Sequence, residues 1–118
     1  MISIEKLGNS SSVTGISLTG YLTVSYQTLV ELFGEPNAAV DGYKTDAEWH
    51  LSVKAPGEPK RFVTIYNYKN GENYCKDDGL RVEDIKHWHV GSRSSIEYWN
   101  LEEYITDCLL YTSDAADE

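Results

Sequence analysis

The feature that most restricts this fold is a pair of alternating segments joined by a turn. Asp46 to Val53 puts Ala47, Trp49, Leu51 and Val53 on one face and Glu48, His50 and Ser52 on the other, the two-residue period of a half-buried strand. The run Ala55-Pro56-Gly57-Glu58-Pro59 closes this segment onto Arg61 to Lys69, because proline and glycine supply the backbone angles of a turn. The second arm carries Phe62, Val63, Thr64, Ile65, Tyr66 and Tyr68, a β-branched and aromatic run that reads as a central strand. A hairpin alone cannot bury its apolar face in water, so other segments must cover it.

Those segments are legible on either side. Ile16, Leu18, Leu22 and Val24 alternate with Ser17, Thr19, Tyr21 and Thr23, interrupted by Gly20, which predicts another half-buried strand. Ser25 stands where an N-cap belongs, Tyr26, Leu29, Val30 and Phe33 follow at helical spacing, and Gly34 with Pro36 ends the run, giving a short amphipathic helix. Asn37 to Tyr43 reads as a loop. Asn70-Gly71 and Lys76-Asp77-Asp78-Gly79 bound an ordered loop carrying Tyr74 and Cys75. Val82 to Ile85 fits one helical turn before a last strand through Trp88 and Val90, and Asn100-Leu101-Glu102-Glu103 resembles a helix start with acids in its first turn. The expected fold is a single α+β domain, an antiparallel sheet of about four strands with one helix on a face and a short C-terminal helix. Gly8 to Ser12 is rich in glycine and serine, so residues 1–12 are expected to form a flexible segment and residues 13–107 the domain.

The remaining stretch, Cys108 to Glu118, resembles the in-frame translation of a transposon-end adapter used in short-read sequencing libraries. The resemblance implies a metagenomic reading frame with a non-native tail at 108–118, which is set aside in reasoning about the fold. The formal net charge is −9, of which Asp114, Asp117 and Glu118 supply three, so the rest of the chain carries −6. An acidic chain lacks the clustered Lys and Arg that phosphate backbones require, which argues against general DNA or RNA binding.

Setting the tail aside leaves Cys75 as the single cysteine, which excludes a disulfide framework and fits a reducing compartment. No apolar run is long enough to cross a bilayer and no signal peptide opens the chain, so an intracellular location is expected. His87 and His89 flank Trp88 on alternate strand positions, which point to one face, and are the most metal-like feature of the chain, with His50, Asp46 or Cys75 as further candidate ligands. The spacing matches no metal motif, and two histidines on an exposed strand face around a buried tryptophan account for it. Cys75 has no nucleophile signature around it, and nucleophile-elbow and phosphate-loop patterns are absent. The chain therefore reads as a binder rather than an enzyme, with no cofactor.

What remains is a concentration of aromatic and polar residues in the second half: Tyr43, Lys44, Tyr66, Asn67, Tyr68, Lys69, Asn73, Tyr74, Trp88, His89 and Arg93. If Val63 and Ile65 face the helix, Tyr66 and Tyr68 lie on the opposite face of their strand and need a cover: the Asn70 to Gly79 loop, a second subunit, or a ligand. A nucleobase suits the last role. Aromatic rings stack on bases, Asn67 and Asn73 offer donors and acceptors to base edges, and Lys44, Lys69 and Arg93 meet phosphate.

The sequence Ser25-Tyr26-Gln27-Thr28-Leu29-Val30-Glu31-Leu32-Phe33-Gly34-Glu35-Pro36, followed by Lys44-Thr45-Asp46-Ala47-Glu48-Trp49, Thr64-Ile65-Tyr66-Asn67-Tyr68-Lys69-Asn70-Gly71 and Trp88-His89-Val90-Gly91, resembles a family of small uncharacterised proteins of tailed phages and prophages. That resemblance covers about Ile16 to Gly91 and implies a viral accessory protein in the cytoplasm of an infected bacterium, with no residue roles attached. The expected function is antagonism of host defence by sequestering a nucleotide-derived second messenger without turnover, with the site completed in a homo-oligomer. Two alternatives stand beside it: an acidic DNA mimic that occupies a host nuclease or CRISPR effector, and a structural or morphogenetic phage component.

Overall fold

The computed structural model describes residues 1–7, 15–38 and 42–116, with backbone alone for 111–116. Five strands form one antiparallel sheet: β1 (Ser3–Lys6), β2 (Ser17–Thr23), β3 (Glu48–Lys54), β4 (Arg61–Tyr66) and β5 (His87–Ser92), in the spatial order β1-β3-β4-β5-β2. Helix α1 (Tyr26–Phe33) follows β2, a single turn α2 (Glu72–Cys75) lies between β4 and β5 with 3-10 turns at Lys76–Asp78 and Val82–Asp84, and α3 (Ser95–Ala116) closes the chain. The expected α+β class and the central hairpin are as read from sequence. The sheet has one strand more than expected because Ser3–Lys6 pairs with β3, Ile4 opposite Val53. The first strand thus lies within the segment expected to be flexible, of which residues 8–12 fall outside the described residues. A four-residue edge strand gives too short a period to stand out from its neighbours.

Both long helices pack on one face of the sheet. The core there comprises Trp49, Leu51 and Val53 of β3, Val63 and Ile65 of β4, Trp88 and Val90 of β5, Leu22 of β2, Leu29 and Phe33 of α1, and Leu101 and Ile105 of α3, joined by Ala47 and Ile85. Each such side chain contributes about 1.5–3 kcal/mol when fully removed from water. Phe33 and Tyr104 stack at 5.9 Å and tie α1 to α3.

Helix α1 is defined at both ends as its sequence dictates. The Ser25 hydroxyl accepts the Thr28 amide at 3.0 Å, and Gly34 takes φ 80°, where a side chain would be strained. Two indoles then fix the helix to the sheet: Trp88 donates from Nε1 to the Val24 carbonyl at 3.0 Å, just before the helix, and Trp49 donates to the Gly34 carbonyl at 2.8 Å, just after it. The two indoles meet edge to face, 5.4 Å between centroids, and both are fully buried. Their N–H groups satisfy carbonyls that the helix itself leaves unpaired.

Helix α3 starts at Ser95, five residues earlier than expected. Its start carries the Ser-x-x-Glu spacing of a capping box, with the carboxylate half formed: Glu97 accepts the Ser94 amide at 3.0 Å and the Ser94 hydroxyl at 2.8 Å. Glu97 is almost wholly buried, and Arg61 lies 3.6 Å from it. Beyond Ile105 the described residues of α3 add nothing to the core; Leu109 and Leu110, in the adapter-like stretch, are exposed.

Strand β2 departs from a simple alternation. Its register against β5 shifts between Leu18 and Gly20, so Leu22 faces the helices opposite Trp88 while Leu18 pairs with Gly91 and is 46% exposed. A single extra residue moves every later side chain to the other face. Gly20 is required here because the Tyr98 ring lies where a Cβ would stand.

Trp88→Phe keeps the ring in the core but leaves the Val24 carbonyl without its donor; chemical denaturation should show a loss of about 1–3 kcal/mol. A change within 0.3 kcal/mol would mean that the indole bond does not hold α1 in place.

Candidate functional site

The face of the sheet opposite α1 and α3 follows from the core by alternation. Register places Glu48 opposite Tyr66, Tyr66 opposite His89, and His89 opposite Tyr21, one cross-strand row over β3, β4, β5 and β2. The next row runs His50, Thr64, Gly91 and Leu18. The first row is aromatic and the middle of the second is small, so the surface dips beside the rings. Among the described residues this concavity, about 300 Å³, is lined by Ile16, Ser17, Thr45, Glu48, His50, Thr64, Tyr66 and Tyr68.

The rings form a continuous strip. His89 sits at its centre, 5.5 Å from Tyr66, 5.3 Å from Tyr68, 5.0 Å from Tyr21 and 5.8 Å from His87, and Tyr21 stacks on His87 at 5.4 Å. Beyond Tyr68 the strip turns cationic. Lys69 Nζ lies 5.3 Å from the Tyr68 ring and 5.3 Å from the Tyr74 ring, Tyr74 packs on Tyr43 at 5.2 Å, and Lys44 Nζ lies 5.8 Å from Tyr43. These are cation–π distances. Tyr21, Tyr43 and Tyr68 keep 49%, 56% and 39% of their surface in solvent, so ring area is available for stacking.

The loop end of the strip is set by Lys69, which adopts φ 60°. A non-glycine residue in the left-handed region costs about 1 kcal/mol or more. The turn is held by the Lys69 amide donating to the Lys44 carbonyl at 2.8 Å and by the Cys75 thiol donating to the Lys69 carbonyl at 3.3 Å.

Seven of the eleven residues expected at a site meet along this strip: Tyr43, Lys44, Tyr66, Tyr68, Lys69, Tyr74 and His89. The other four do not. Trp88 is fully buried on the opposite face, bonded to Val24, because its alternation partner is Val90 rather than His89. Asn67 is fully buried and its amide is committed: Oδ1 accepts the Asp46 and Ala47 amides at 2.6 and 3.0 Å, and Nδ2 donates to Asp46 and Asn70 at 2.8 and 3.0 Å. It joins the strand end to the 44–47 loop and has nothing left for a base edge. Asn73 donates its side-chain amide to the Thr45 carbonyl at 2.8 Å and its backbone N–H to Asp46 at 3.0 Å, a second stitch to the same loop. Arg93 lies at the start of α3, in a smaller concavity with Lys60, Arg61 and Glu97.

Tyr21, His87, Glu48 and His50 belong to this face and were not singled out from sequence as a group. Their common signal is strand period: each is one residue from a core position, Leu22, Trp88 or Trp49. Glu48 and His50 pair at 2.6 Å, carboxylate to Nε2.

Electrostatically the strip is uncharged in the middle. Burial, and then the neighbouring His87, hold the His89 pKa below the usual 6.5, so its ring is neutral at pH 7. Burial, and then the Glu48 carboxylate, raise the Tyr66 phenol above 10. A neutral aromatic floor with ammonium groups at one end accepts a planar ring attached to an anion. Among the described residues no three His, Cys, Asp or Glu side chains converge as a metal site would require, and no helix is long and apolar enough to cross a membrane.

His89 gives this electrostatic account a pH test. Its folded-state pKa is depressed, so the unfolded chain takes up the proton first, and stability should fall as pH drops from 6.5 through the folded value. Denaturation midpoints compared between wild type and His89→Phe should diverge in that window, wild type losing more; parallel curves would show that His89 titrates normally.

Comparison of the chain with protein-family profiles, with curated proteins and with solved structures finds no match to any of them, so a functional reading stands on the geometry of this face.

Proposed function

We propose that this chain is a binding protein that captures a nucleotide-derived small molecule on the helix-free face of its sheet. The observation that carries the reading is the strip from Lys44 to His87, in which solvent-exposed tyrosines flank a neutral His89 and ammonium groups gather at one end. Tyr68, with Tyr66 behind it, offers the stacking surface for a base, worth about 1–3 kcal/mol per stacked base. Lys69 and Lys44 are placed for a phosphate at the end of that surface. The acidic balance of the whole chain disfavours a long polyanion but leaves room for a small one.

The binding is stoichiometric, without turnover, and the physiological role is that of a phage accessory protein which removes an immune second messenger in the cytoplasm of an infected bacterium. The resemblance to small phage and prophage proteins supports that role. One open face covers one side of a planar ligand, so a second copy of the chain completes the site in a homo-oligomer.

Thermal denaturation with cyclic dinucleotides, cyclic ADP-ribose isomers and linear nucleotides tests the reading. A ligand at about a hundred times its Kd should add about 2.7 kcal/mol of stability. The shift should vanish in Tyr68→Ala, a side chain exposed enough to be removed without opening the core. An unchanged midpoint with every compound, or a shift indifferent to Tyr68, would refute it.

A further inference from the structure

Among the described residues that line the concavity beside the aromatic strip, Glu48 is the one acid. Strand β3 turns it away from the helices, because its neighbour Trp49 fills the core, and register sets it directly opposite Tyr66 on β4. Its side chain keeps 22% of its surface in solvent. One carboxylate oxygen, Oε2, meets His50 Nε2 at 2.6 Å. The other, Oε1, has no hydrogen-bond partner among the described residues, and the buried unpartnered side-chain atoms there are His50 Nδ1 and Arg61 Nε, so Oε1 is open to solvent. The ion pairs of the described residues bring neither Lys nor Arg to Glu48. Its charge reaches the strip: after burial, it is the largest cause that raises the Tyr66 phenol above its ordinary value.

A carboxylate without a cation, set beside a stacking surface, selects among bases. An ionised carboxylate accepts hydrogen bonds and donates none, and each of its oxygens has two lone-pair sites, so the His50 contact leaves Oε2 able to accept once more. A base stacked on Tyr66 and Tyr68 displaces water from this group, and N–H groups of the ligand must replace that water or binding weakens. The edges of the bases differ in what they offer. Guanine presents two adjacent donors, N1–H and the 2-amino group. Adenine and cytosine present an amino group beside a ring nitrogen that accepts, and uracil an N–H between two carbonyls, so each of these turns a lone pair toward a carboxylate oxygen. Lys69 and Lys44 lie beyond Tyr68, at the rings of Tyr68 and Tyr43, and offer a phosphate a separate place.

We infer that Glu48 is the base-selecting residue of this face and that its ligand is a guanine nucleotide, the carboxylate accepting N1–H and the 2-amino group of the base stacked at Tyr66 and Tyr68. This assignment rests on the nucleotide-binding reading and deepens it by naming the base.

Isothermal titration of the full chain and of Glu48→Gln with GMP, IMP, AMP, CMP and UMP tests it; IMP is GMP without its 2-amino group. In wild type GMP should bind tightest, with IMP about 10- to 100-fold weaker and AMP weaker still, the loss expected when a charge-assisted bond is missing from a covered site. Glutamine keeps the shape of the side chain but sets a donor beside an acceptor, the pattern that complements adenine. Glu48→Gln should therefore lose the preference for GMP and bind AMP as well or better. If nucleotides bind but GMP is not preferred over IMP in wild type, or if the order of the bases is the same in both proteins, the role of Glu48 is refuted and the stacking face stands. If none of the five binds either protein, the nucleotide reading falls and takes this assignment with it. The wild-type ratio of GMP to IMP requires no variant, so it decides the matter even if Glu48→Gln is unstable.

Discussion

Two tryptophans organise this molecule. Trp49 on β3 and Trp88 on β5 meet edge to face across the sheet, and their N–H groups reach the carbonyls on either side of α1. An indole buried in a core must place its one donor, and here the backbone at the two ends of α1 provides the acceptors. The helix is held at both ends by side chains that the hydrophobic effect would bury in any case. Tyr26, on the first turn of α1, packs against both indoles at 5.8 and 6.3 Å and completes the contact.

The same arrangement determines the other face. Because Trp49 points to the helices, Glu48 and His50 point away from them, and because Trp88 points to the helices, so do His87 and His89 point away. The register of the sheet then aligns Glu48, Tyr66, His89 and Tyr21 in one row. The candidate site is the reverse side of the core, built on rigid strands rather than on loops, which suits a surface that must present flat rings. The loops add its cationic end: Asn67 and Asn73 bind the 44–47 segment to the β4–α2 connection and so bring Lys44 and Tyr43 to Lys69 and Tyr74. Two residues that looked like base readers from sequence are the staples of that junction.

Much of this was legible in the chain. The hairpin of β3 and β4, the faces of both strands, and the cap and stop of α1 are all stated by alternation, by Ser25 and by Gly34. The placement of Tyr66 and Tyr68 on the face away from Val63 and Ile65 follows from the same period. What escaped did so for identifiable reasons. Strand β1 is too short to display a period. The bulge near Thr19 preserves an outward appearance of alternation while exchanging the faces of Leu18 and Leu22. The start of α3 lies at Ser94-Ser95-Ile96-Glu97, whose Ser-x-x-Glu spacing is a helix-start signal that the reading from Asn100 passes over. Trp88 stands in sequence between two residues of the binding face, although the strand period assigns it to the core.

The central claim is that the chain has a core face closed by the indoles and a binding face open at the tyrosines. The most direct test is an NMR titration of isotope-labelled protein with the nucleotide that gives the largest thermal shift, following aromatic ring and indole N–H signals together. The account predicts that the rings of Tyr21, Tyr66, Tyr68 and His89 move with ligand while the Trp49 and Trp88 indole N–H signals stay in place. Perturbation centred on the indoles, or on the surface of α1 and α3, with the tyrosine strip unmoved, would contradict it.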